Sequence, residues 1–150
     1  MRAISICVIV ALAGFIAEAS DLRVGRASVV ITPPRGAPMA GYYYVRLNTG
    51  THDDLHAKAV VLEKDGVKTA MVACDLVTMP RQVVESARTH IAQESGIPGE
   101  RVMISATHSH TGPELGLRLK GVDAKTEQLA HAYVEALPLK IAARPTSVTP

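Results

Sequence analysis

The chain has 150 residues, with 16 Lys and Arg against 14 Asp and Glu, a formal net charge of +2. That near balance, without a basic cluster or a series of stacking aromatics, argues against nucleic acid as a partner. Aromatic residues make up only 3%, so a core must be built from Val, Ile, Leu and Ala, and the length allows a single domain.

Arg2 precedes an apolar run from Ile4 to Ile16, and Ala17-Glu18-Ala19 follows it. A charged start, a hydrophobic middle and a small-x-small site read as a secretory signal peptide, residues 1–19, cut after Ala19. The alternative is an uncleaved anchor helix, but the run is short of the roughly 20 residues that a membrane span requires. Phe15 stands where a lipoprotein signal needs cysteine, which disfavours a lipid anchor. The mature chain, residues 20–150, is therefore expected to be secreted or periplasmic. Its net charge is unchanged, because Arg2 and Glu18 leave together. Cys7 leaves with them, so Cys74 remains as the single thiol. It can form no internal disulfide, and its apolar strand context reads as a buried small hydrophobe.

Val24 to Thr32 reads as a first strand closed by Pro33-Pro34. A Gly/Pro-rich loop from Arg35 to Asp54 follows, holding Met39-Ala40-Gly41-Tyr42-Tyr43-Tyr44. Three consecutive tyrosines there fit either a packed corner with one ring buried or a substrate-contacting lip, since buried hydroxyls need partners. His52-Asp53-Asp54-Leu55-His56 has its histidines four apart, but no helical pattern surrounds them. His52 and Asp53 read as loop residues, with His56 opening a strand. Ala57–Glu63 and Val67–Cys74 form a hairpin over Lys64-Asp65-Gly66, because Asp-Gly accepts the positive φ of a tight turn. Met71-Val72-Ala73-Cys74 is continuously apolar, which predicts a central strand covered on both faces.

Pro80 opens a helix whose apolar stripe is Val83, Val84, Ala87, Ile91 and Ala92, and Gly96 and Pro98 end it. Val102 to Ala106 is a short apolar, β-branched run and reads as a buried strand. Strand, helix and strand make a βαβ unit with parallel strands. Asp123 to Ala143 is helical in pattern, with Pro138 expected to kink or break it; His131 within it reads as a surface residue. The predicted fold class is α/β: a mixed sheet with a βαβ unit and flanking helices, the incomplete N-terminal part of a larger hydrolase domain.

The strand at Val102 runs into Thr107-His108-Ser109-His110-Thr111-Gly112-Pro113. If the backbone stays extended, His108 and His110 share a face, because strand side chains alternate. Two imidazoles then converge at the carboxyl end of a buried strand, where open α/β sheets place their ligands. That arrangement suits a metal; the plainer reading is a polar loop whose histidines bond to nearby backbone. Asp75, at the end of the neighbouring parallel strand, should emerge close by. It could orient an imidazole, join the metal shell, or cap the following helix.

Several motifs in this order resemble one family. They are Val24-Gly25 with Val30-Ile31-Thr32-Pro33, then Met39-Ala40-Gly41-Tyr42 and Gly50-x-His52-Asp53-x-Leu55-x-Ala57-x-Ala59. Cys74-Asp75-Leu76 and Ser105-Ala106-Thr107-His108-Ser109-His110-Thr111-Gly112-Pro113 complete the set. Together they resemble the N-terminal domain of neutral/alkaline (non-lysosomal) ceramidases. The resemblance implies a zinc-dependent amidohydrolase that splits the N-acyl bond of ceramide-like lipids, with peripheral contact to the membrane that carries them. It implies that His108 binds Zn2+ and that His110 is catalytic, beside the metal and the substrate. His52, Gly41 and Tyr42 would contact substrate. Members of that family continue far beyond this length and supply a second His, a Glu and a Tyr to the zinc. The chain is thus expected to be the front part of such an enzyme, its partner being the missing C-terminal segment. A catalytically inactive fragment or interaction module is the alternative. A barrel-type metal hydrolase is rejected by length, since eight strand–helix units need about 250 residues.

Overall fold

The computed structural model describes residues 21–116 and 121–143; the expected signal segment lies outside them. Six strands and two helices follow in the order β1 (Arg23–Val30), β2 (Pro38–Met39), β3 (Arg46–Leu47), β4 (His56–Lys64), β5 (Val67–Cys74), α1 (Arg81–Ser95), β6 (Val102–Ala106) and α2 (Ala124–Ala142). The main sheet has the order β1-β4-β5-β6, while β2 and β3 form a separate small pair. β1 and β4 are antiparallel, as are β4 and β5, and β5 runs parallel to β6. The mixed sheet and its βαβ unit are as the sequence predicts. The β2–β3 pair was not expected, because two-residue strands are too short to show alternation.

The β4–β5 connection is the tight turn foreseen at Asp65-Gly66, with φ of +53° and +75°. Helix α1 ends on Gly96, whose φ of +70° lets its N–H reach Ala92 O. A short 3-10 turn, Gly99–Arg101, then leads into β6.

One face of the sheet carries small residues, Ala57, Ala59 and Ala70, with Val61, Val72, Cys74 and Val102, all buried. Helices α1 and α2 pack there and against each other, contributing Val83, Ala87, Ile91, Tyr133, Leu137 and Ile141. Each of the larger side chains removed from water stabilises the fold by about 1.5–3 kcal/mol. The small sheet residues let the helices approach while the helices supply the bulk.

The expected double cover of β5 is not found among the described residues. Met71 and Ala73 face outward, and Val60, Met71 and Met103 pair across three neighbouring strands on an open face. An unbroken apolar run alone cannot separate this arrangement from burial on both sides. Pro138 does not end α2 either. The helix runs on to Ala142, because Leu137, Pro138, Ile141 and Ala142 are all buried and their packing outweighs the hydrogen bond that proline lacks. Cys74 is fully buried, and burial with the nearby Asp75 charge pushes its thiol up to about 12, so it stays protonated and inert.

Asp123 caps α2 by accepting from Thr126 N–H at 2.8 Å, which holds its carboxyl below the ordinary carboxylate range. A depressed folded-state value means a contribution that is present above the unfolded pKa and lost as pH falls through the folded one. Helix content measured by circular dichroism should therefore fall at acid pH. Asp123→Asn keeps an acceptor without a titrating group and should flatten that limb. Identical acid limbs in the two proteins would contradict this role.

Candidate metal centre

Parallel pairing in register, Cys74 beside Ala106, brings the carboxyl ends of β5 and β6 to one edge. The ladder continues past both strands. Thr107 N–H donates to Cys74 O at 2.9 Å, and Ser109 N–H donates to Leu76 O at 3.1 Å. Between these bonds His108 adopts a φ of +66°, a left-handed conformation that costs a non-glycine residue about 1–2 kcal/mol. The backbone is thus not extended through the motif, and simple alternation does not aim the two rings.

Main-chain acceptors hold them. His108 Nδ1 donates to Val77 O at 2.9 Å. His110 Nδ1 donates to Gly41 O at 3.0 Å, across 69 positions of sequence. Gly41 reaches that place because the β2 segment docks on the end of the motif. Ala40 N–H donates to Gly112 O at 2.9 Å, Glu114 N–H donates to Pro38 O at 2.8 Å, and Met39 bridges Pro113. Asn48, buried in the same loop, donates to Pro33 O and Pro34 O and accepts from Gly50 N–H.

Carbonyl oxygens only accept, so both Nδ1 atoms carry a proton, and each ring in its neutral form presents an Nε2 lone pair. Those Nε2 atoms are 3.3 Å apart, with the rings edge-on at 75°. Two facing acceptors at that separation call for a cation or a shared proton between them. Zinc held by nitrogens at about 2.0–2.1 Å in tetrahedral geometry separates two of them by about 3.3 Å. The donor set therefore fits part of a zinc shell. Among the described residues no cluster of three or more His, Cys, Asp or Glu could complete it.

Asp75 does not touch either imidazole. Its carboxylate accepts from His56 N–H at 2.9 Å and from the Thr107 hydroxyl at 3.4 Å, tying β4 to the end of β6. Nor does it cap α1, whose first turn follows Pro80 without a side-chain cap. Val77 O takes the orienting role instead. The tyrosines are neither a packed corner nor buried: Tyr43 and Tyr44 are exposed, and Tyr42 is half-buried with the Arg46 guanidinium 3.8 Å over its ring. His52 pairs with Asp53 at 2.8 Å on an exposed loop. Both line a cavity of about 500 Å3 shared with Thr32, Arg46, Asp54 and Thr111, the last joining it to the histidine motif. His131 is exposed beside Glu127, as expected.

This architecture is similar to that of solved structures. The neutral ceramidase from Pseudomonas aeruginosa superposes with a TM-score of 0.62 at 24% identity, over 83% of this chain and 21% of that one. A ceramidase complexed with C2 gives 0.60 at 23% identity, over 81% and 20%. The fold is that of part of a neutral ceramidase. The chain spans about a fifth of the length of these ceramidase structures. No protein-family model and no curated protein matches it.

Proposed function

We propose that the chain carries the metal-binding portion of a zinc-dependent amidohydrolase acting on the N-acyl linkage of ceramide-like lipids. The observation that carries this reading is the convergence of His108 and His110 Nε2 at 3.3 Å, with both Nδ1 atoms committed to carbonyls. The ceramidase likeness of the fold supports the choice of substrate class. His108 holds the metal through Nε2. His110 is the catalytic residue of this reading: its Nε2 shares the metal position, and when not bound to the metal it takes up or returns a proton as the amide is cleaved. Zinc, when bound, supplies Lewis acidity toward the carbonyl. Gly41 borders the His110 imidazole, Tyr42 follows it in the same loop as a substrate contact, and His52 lines the neighbouring cavity for the polar end of the lipid. Catalytic zinc usually takes three protein ligands, so a further segment of the same enzyme is the partner that completes the shell. The signal-peptide pattern of residues 1–19 supports a secreted or periplasmic setting for this chemistry, with peripheral contact to lipid-bearing membranes. No helix among the described residues is long and apolar enough to cross one.

The open sheet face bearing Val60, Met71 and Met103 favours a second reading, an inactive interaction module. Fatty-acid release from a short-chain ceramide in mixed micelles separates the two. With the completing segment supplied in the same polypeptide, release that depends on added zinc and exceeds a metal-free blank is expected. No release above the blank from that zinc-loaded, completed protein would establish the second reading instead.

A further inference from the structure

We propose that Gly41 is a positioning residue for His110: its carbonyl selects the tautomer, and its missing side chain makes room for the ring. Three observations meet at this one position. The Gly41 carbonyl accepts from His110 Nδ1 at 3.0 Å. A Cβ built on Gly41 would lie 2.7 Å from His110 Cγ, 2.8 Å from Nδ1 and 2.9 Å from Cβ, closer than any real contact. Its φ of +87° is also one that L side chains rarely adopt. The ring therefore lies flush on the loop backbone. Only with the proton kept on Nδ1 does the Nε2 lone pair remain free to face His108 Nε2 at 3.3 Å.

The loop contains its own control. Gly36 has nearly the same φ, +88°, but a Cβ there meets only Leu129 Cδ1 at 3.5 Å, an ordinary contact. Gly36→Ala thus imposes comparable backbone strain without touching His110. Any effect confined to Gly41→Ala comes from the imidazole.

The inference extends the proposed function to a residue that takes no part in bond making, and its test needs no metal. Long-range 1H–15N correlation spectra of the metal-free chain, at a pH where imidazoles are neutral, report the tautomer of each histidine. In the wild type, His110 is expected as the Nδ1–H form. In Gly41→Ala the Nδ1–H share should fall to that of an unstructured peptide carrying Thr107–Gly112. Gly36→Ala should lower the melting temperature and leave the His110 signals where they are. An Nε2–H form in the wild type would overturn the proposal without any variant having to fold. Equal tautomer shifts in the two glycine variants would overturn it too, since both would then act through general loosening of the loop. If the tautomer behaves as stated and zinc still does not bind, the metal reading falls while the positioning role stands.

Discussion

Replacing His108 with alanine is expected to abolish stoichiometric zinc uptake by the folded chain. Loss of a mere outer hydrogen-bond partner weakens a metal site about 10- to 100-fold, and His108 supplies a donor nitrogen itself. What remains is His110 alone, and a single neutral imidazole on a surface loop does not retain zinc against a competing chelator. The position also carries a left-handed φ of +66°, so a second variant is needed to separate chemistry from folding. Asparagine tolerates that conformation better than most residues, and His108→Asn should match alanine in zinc loss while keeping wild-type helix content. His131→Ala, on the exposed face of α2, should change nothing. Competition titration with a chromophoric chelator gives the comparison directly. Equal affinities for wild type and His108→Asn would remove the metal role from this motif and, with it, the proposed reaction.

Leu137→Ala should cost about 2–5 kcal/mol of stability. Leu137 is 0% exposed, in a helix that continues through Pro138. That proline leaves α2 short of a backbone hydrogen bond, so the helix depends on what it buries more than on its own propensity. Tyr133, Leu137 and Ile141 bury successive turns of α2 against the sheet and α1, and Tyr133 also donates its hydroxyl to Ile31 O at 2.5 Å. Truncating the middle member opens a cavity in this packed cluster, where α2 lies chiefly against α1. Chemical denaturation monitored by circular dichroism measures the difference. A loss well below 1 kcal/mol would mean that α2 is not integral to this core.

Much of the scaffold was legible because its signals are local. Asp65-Gly66 dictates a two-residue turn, Gly96 ends a helix, and the periods of Val67–Cys74 and Arg81–Ser95 separate strand from helix within a few residues. The open face of β5 was not legible, because Met71-Val72-Ala73-Cys74 spells the same letters whether one face or both are covered. The histidine pair was found by spacing, yet the reason for its convergence was not alternation but a positive φ at His108 and two carbonyl acceptors. Val77 O could not have been foreseen, since every residue offers the same carbonyl and the side chain carries no hint of its use. Gly41 did carry a signal, the lack of a side chain beside three tyrosines, but its partner lies 69 positions away and no local rule connects them. Asp75 misled for the opposite reason. A carboxylate at a strand end invites a role in the site, whereas the backbone N–H of His56 had the better geometry.

The one-sided sheet also separates the sulfur chemistry of a single strand. Met71 points outward from β5 next to Met103 on β6, while Cys74, three residues on, points inward with no exposed surface. Peroxide therefore meets two thioethers side by side before it can meet the thiol, and conversion to sulfoxides makes that wall polar. Oxidative damage would register first as a change in what adheres to the molecule, with the interior and the loop that carries the imidazoles still intact.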